Sequence, residues 1–218
     1  MSKKALRGVL FPLVTPFKGP DEAINYNGLR QLIDFLIEND TTGVIPSGST
    51  GELVSMTLEE QLKVNEVTCK YVNGRVKVYA CTAQYRTNDV VYLSKAAQDS
   101  GADGVMVVTP WYITPNEVEL YAHYKAVREA VDIPIILYHN PYLTSCWLTD
   151  KFIARLYNDG LIDAVKDSAH DIYRHQTMRA LTDESFGIFY GFDNCPAEAL
   201  SFYANGWITG VAKKMLTQ

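Results

Sequence analysis

One lysine sits where a lysine is costly. Residues 162–171 read IDAVKDSAHD, and Ile162, Ala164 and Val165 have the pattern of a buried strand that ends in Lys166. An unpaired ammonium there loses hydration. Two readings are open. The stem can pack while the charged head reaches water. Alternatively, desolvation lowers the amine from its ordinary pKa of roughly 10.4 and provides a neutral nucleophile for carbonyl chemistry. Other reactive groups fall at the ends of other apolar runs. PSGSTGE (46–52) offers backbone amides with the Ser49 and Thr50 hydroxyls. That is a cradle for a small carboxylate, or only a capped turn. YHNP (138–141) offers the Tyr138 phenol, which can relay protons or simply pack at a rim. Asp167, Ser168 and Asp171 read as helix caps. The four histidines (His123, His139, His170, His175) lack metal-ligand spacing, so no metal is expected.

The elements that must position these groups alternate along the chain. Short apolar runs occupy 8–17, 43–48, 77–83, 104–110, 134–141, 162–168, 186–192 and 206–212. They are rich in branched and aromatic residues and bounded by Gly, Pro or polar residues, as strands buried on both faces are. Between them lie helical patterns. Leu29, Leu32, Ile33, Leu36 and Ile37 share one face, and so do Leu120, Tyr124, Val127 and Val131. TLEE (57–60) forms a capping box from Thr57 to Glu60, and TPNE (114–117) suggests a second, with Thr114 as cap and Pro115 at the first helical position. SGAD (100–103) supplies a glycine where a helix should stop. Eight strand starts, roughly 20–35 residues apart, predict repeated βα units and a (β/α)₈ barrel. An open doubly wound sheet is the alternative, but GxGxxG and GxxxxGK[ST] are both missing. In such a barrel, the strand ends quoted above converge on one rim. Residues 1–218 read as one barrel domain. The sequence given stops just after the eighth run, so the expected fold lacks the eighth helix.

Composition narrows the class. The 218 residues carry a formal charge of −5 and are 47% hydrophobic. The acidic balance, without Lys/Arg clusters, argues against nucleic acid and anionic membranes as partners. No apolar run is long enough to span a bilayer, and the N-terminus does not read as a signal peptide. Cys69, Cys81, Cys146 and Cys195 are widely spaced and read as reduced thiols of a cytoplasmic protein.

Taken in order, GSTGE, TPWY, YHNP, VKDS, GFDN and GWITG resemble the dihydrodipicolinate synthase / N-acetylneuraminate lyase family, over essentially the whole chain. The resemblance implies a (β/α)₈ barrel, usually tetrameric, whose lysine forms a Schiff base with pyruvate or a related 2-oxo acid. The imine then makes or breaks a C–C bond with an aldehyde, without a cofactor. By that match Lys166 is the Schiff-base lysine and Tyr138 the proton shuttle. Thr50 and Tyr112 would complete a relay, with Tyr112 reaching into a neighbouring subunit. Ser49 and Thr50 would hold the substrate carboxylate, and Gly191 and Ile208 would line the pocket through their backbones. Two departures stand out. No arginine follows the tyrosine motif, where lysine-pathway synthases carry one, and Asn194 stands beside Asp193 where sialic-acid lyases have a glutamate. Ser168 matches a hydroxyl position of sugar-acid members. Tyr142, Leu143 and Trp147 suggest an aldehyde of apolar or aromatic character. The family's further C-terminal helices are also expected to be missing, and the alternative to catalysis is a silent, shortened paralogue that only binds ligands or partners.

Overall fold

The computed structural model describes residues 5–211. Eight parallel strands close into a barrel: β1 (Gly8–Pro12), β4 (Gly43–Ile45), β5 (Lys77–Cys81), β6 (Gly104–Val108), β7 (Ile135–His139), β8 (Ala164–Asp167), β9 (Gly187–Tyr190) and β10 (Gly206–Ile208). Their order around the barrel is β1-β10-β9-β8-β7-β6-β5-β4. The eight apolar runs therefore each contain one barrel strand, as the (β/α)₈ reading requires. The first is shorter than its run. The chain leaves the barrel after Pro12 and forms a small antiparallel hairpin of β2 (Phe17–Lys18) and β3 (Ala23–Ile24), although the apolar run continues to Phe17.

Helices cover the outside. Leu29, Ile33 and Leu36 are buried on α1 (Tyr26–Glu38), as their spacing predicts. On α2 (Leu58–Val72), Thr57 accepts from the Glu60 N–H and the Glu60 carboxylate accepts from the Thr57 N–H, completing the expected capping box. After α3 (Thr87–Asp99), Gly101 adopts φ +88°, a conformation that suits glycine at a helix stop.

Helix α4 (Glu117–Ala130) starts later than expected. Its cap is Asn116, not Thr114, and Glu119 rather than Glu117 closes the box. Asn outranks Thr as a cap, and its side chain accepts from both the Val118 and Glu119 N–H groups. Then follow α5 (Pro141–Thr144), α6 (Asp150–Asn158), α7 (Tyr173–Leu181) and α8 (Pro196–Ser201). The eighth-helix expectation concerns residues from 212 onward, outside the described part.

The β7–β8 pairing sets the site. Tyr138 lies beside Lys166, and His139 beside Asp167. Side chains alternate along a strand, so one pair faces into the barrel and the next faces the helices.

Candidate active site

Lys166 is buried, 6% exposed, and its Nζ lies 4.0 Å from the centroid of the Tyr138 ring. The structure thus brings the amine and the phenol together. Tyr138 is buried too. Burial by itself disfavours the phenolate, but the Lys166 charge and hydrogen bonding from Asn140, Ser168 and Lys166 outweigh it, so the phenol lies below its ordinary value. Asn140 was not singled out in the sequence. Its amide donates to the Tyr138 hydroxyl (2.9 Å), while its Oδ1 accepts from the Leu143 N–H and caps α5. An Asn before a Pro is a readable helix-start signal. Its second bond, to the phenol, becomes visible only in the fold.

Gly191 makes room for the lysine. A Cβ there would fall 2.1 Å from Ser168 Oγ and 3.2 Å from Lys166 Cε. Ser168 is no helix cap: its hydroxyl donates to the Gly191 carbonyl, 3.1 Å away. Asp167 is no cap either, and forms part of a buried ionic cluster on the outer face of β8. Asp171 does take a cap-like role, accepting from the Tyr173 N–H. Ile208 is buried in β10, in register with Leu10 of β1.

The loop after β4 turns tightly. Gly51 and Leu53 donate to the Gly48 carbonyl, and Thr15 Oγ1 donates to the Gly51 carbonyl at 2.7 Å. A Cβ on Gly51 would sit 2.8 Å from the Leu13 carbonyl, so the close approach needs glycine. Among the described residues, the Ser49 and Thr50 N–H groups donate to no protein acceptor. Both residues are exposed at the rim. Thr50 makes no side-chain hydrogen bond to Tyr138 or Tyr112 among the described residues. Tyr112 is 92% exposed, at φ +72°.

A cavity of about 240 Å³ opens beside Tyr138 and the loop after β4. Ser49, Leu53 and Val54 form one wall, Val108, Trp111 and Tyr138 a second, and Asn140, Leu143 and Thr144 a third. None of these residues carries a charge. Above it, Tyr142 contacts Trp147 and His170 edge-on, at 5.6 and 5.2 Å between ring centroids, and His170 stacks on Phe192. Asp193 accepts from Thr209 Oγ1 at 2.6 Å, and Asn194 accepts from the Tyr190 hydroxyl. Both polar side chains of the GFDN segment are therefore hydrogen-bonded.

The sequence profile of the Dihydrodipicolinate synthetase family matches residues 5–217. The chain belongs to this family. It is 34% identical over 209 residues to the 4-hydroxy-tetrahydrodipicolinate synthase of Pelobacter propionicus, covering 96% of this chain and 71% of that protein. The enzyme of the same name from Neisseria gonorrhoeae is 37% identical over 207 residues, covering 95% and 71%. Among solved structures, dihydrodipicolinate synthase from Aquifex aeolicus superposes with a TM-score of 0.90 at 35% identity, covering 94% of this chain and 69% of that one. A chloride-inhibited dihydrodipicolinate synthase from Acinetobacter baumannii, complexed with pyruvate, gives a TM-score of 0.88 at 32% identity, covering 93% and 69%. At the level of the family, the chain is a carbon–carbon lyase of the pyruvate-dependent, class I aldolase kind.

Proposed function

We propose that Lys166 forms a Schiff base with pyruvate or a related 2-oxo acid, and that the derived enamine makes or breaks a C–C bond with an aldehyde. The observation that carries this is the buried Lys166 amine lying against the Tyr138 phenol. The Ser49 and Thr50 amides hold the carboxylate and turn the 2-oxo carbon toward the amine, a proximity effect. The amine adds to that carbon and gives a carbinolamine. Tyr138 delivers a proton to the departing hydroxyl, and water leaves as the iminium forms. Loss of a proton from the adjacent carbon gives the enamine, which attacks the aldehyde carbonyl. Hydrolysis then releases the product and regenerates the amine. Cleavage is the same sequence in reverse. The uncharged cavity wall of Leu53, Val54, Val108 and Leu143, together with the aromatic rim, supports an aldehyde of apolar or aromatic character. A substrate panel tests this, and a preference for sugar acids over aromatic aldehydes would overturn it.

In this reading Tyr112 serves a second copy of the chain. With Ile113 and Val118, which are 76% and 80% exposed, it forms an outward apolar surface, and this supports a homo-oligomer. Light scattering tests that assignment, and a monomer at all concentrations would contradict it. The four free thiols support a cytoplasmic setting. No helix among the described residues is long and apolar enough to cross a membrane.

The direct test is borohydride reduction in the presence of pyruvate. A reduced adduct in the parent protein, lost in Lys166→Ala, is expected. No adduct in the folded parent would overturn the mechanism and favour the silent, ligand-binding alternative.

A further inference from the structure

Behind the reactive pair lies an ionic cluster that imine chemistry does not use. His139 and Asp167 are the immediate chain neighbours of Tyr138 and Lys166, and they face outward, beneath α6 and α7. His139 is fully buried and Asp167 is 2% exposed. His139 Nδ1 lies 2.8 Å from Asp167 Oδ1. The Leu148 N–H donates to His139 Nε2 at 3.2 Å, so Nε2 is the bare nitrogen and Nδ1 carries the proton given to Asp167. Arg174 closes the circuit from α7. Its Nε donates to Asp167 Oδ2 (3.3 Å), and its Nη2 donates to the Leu148 carbonyl (3.0 Å) and pairs with Asp150 at 2.9 Å. His175 Nε2 stands 3.7 Å from the same Asp167 oxygen.

Both backbone groups of Leu148 are thus held by side chains that converge on one carboxylate. Leu148 ends the segment that starts at Pro141 and carries Leu143 and Thr144 to the cavity and Trp147 to the rim. The start of the segment is tied to Tyr138 through Asn140. Both ends of the wall are therefore referred to the β7–β8 pair, one from inside the barrel and one from outside.

We propose that Asp167, acting through His139 and Arg174, is a positioning device that fixes the 141–148 wall of the cavity beside Tyr138 and thereby sets how the second substrate is received. The catalytic part of this inference rests on the Schiff-base function proposed above. The cluster touches no reacting atom, so it acts on the aldehyde half of the reaction and leaves imine formation alone.

Two substitutions at His139 separate the contacts. His139→Asn keeps a donor for Asp167 but falls short of the Leu148 N–H. His139→Gln places an acceptor within reach of that N–H. The first readout is hydrogen exchange of the 141–149 peptide in the ligand-free protein, which does not depend on any chemistry at Lys166. His139→Asn should exchange there about tenfold faster than the parent, with the β5 and β6 peptides unchanged, and His139→Gln should restore much of the protection. The second readout is kinetic. The rate of borohydride trapping with pyruvate should stay within about twofold of the parent, while KM for the aldehyde rises about tenfold. Should His139→Asn not fold, Arg174→Met, at the half-buried edge of the cluster, should loosen the same peptide. Unchanged exchange of 141–149 in a folded His139→Asn or Arg174→Met protein would overturn the proposal. So would loss of imine trapping in proportion to aldehyde turnover. Absence of an adduct in the parent would instead strike the Schiff-base reading, and the exchange result would stand apart from it.

Discussion

Replacing Gly191 by alanine tests the packing around the lysine most sharply. Gly191 is outside the left-handed region, so the penalty is one of space alone. The new methyl would sit 2.1 Å from Ser168 Oγ, 3.0 Å from the Asp167 carbonyl oxygen and 3.2 Å from Lys166 Cε. The serine must rotate away and lose its 3.1 Å bond to the Gly191 carbonyl. Ser168 is fully buried, so losing that bond inside the core costs about 1–3 kcal/mol. Crowding by the extra carbon adds about 1–3 kcal/mol. Gly191→Ala should therefore cost roughly 2–6 kcal/mol in urea unfolding. Ser168→Ala alone should cost about 1 kcal/mol. The double variant lacks the atom at 2.1 Å, so the two losses should fall short of adding by about 1–3 kcal/mol. The methyl still presses on Lys166 Cε, so trapping with pyruvate should remain slower than in the parent even there. Losses that add to within about 0.5 kcal/mol would refute the reasoning, because no shared contact would then exist.

Tyr138→Phe should slow imine formation by about 10²–10⁴-fold while leaving pyruvate binding in place, and an unchanged trapping rate would remove the phenol from the mechanism. Asn140→Ala deletes the α5 cap and the bond to the phenol. It should cost about 1–2 kcal/mol and shift the earliest phenol to ionise to higher pH, as followed by near-ultraviolet absorbance, since the bond from Asn140 favours the phenolate. His123 is held neutral by burial, its pKa lowered from 6.5 to about 4. Because the folded value is the depressed one, its contribution is complete above 6.5 and disappears as pH falls through that window, by about 3 kcal/mol. His175 is shifted in the same direction by its own burial and adds to the loss. His123→Gln should flatten the fall in unfolding free energy between 6.5 and 4, and an equally steep fall would show that His123 is not its source.

The barrel was legible because each parallel strand is buried on both faces and so reads as a short apolar run, with turn residues marking its ends. Lys166 was conspicuous for the same reason, as a charge closing an apolar run. The start of α4 was less so. Thr114 with Glu117 and Asn116 with Glu119 both satisfy the capping-box spacing, and only the second pair is used. Asp167 reads as a cap because a carboxylate just after an apolar strand has the same local pattern in either role. Its real partners, His139 and Arg174, are brought to it by strand register and by the packing of α7, which no local spacing encodes. Tyr112 and Thr50 follow from family likeness alone, and within one chain both side chains are exposed.

The central claim is that Lys166 is the carbonyl nucleophile. Incubation with pyruvate followed by borohydride, read by intact mass and peptide mapping, tests it directly. The account predicts an increase that fits one reduced pyruvate, located on the peptide containing Lys166 and absent from Lys166→Ala. An unmodified mass from folded protein, or an adduct on a different lysine, would contradict it.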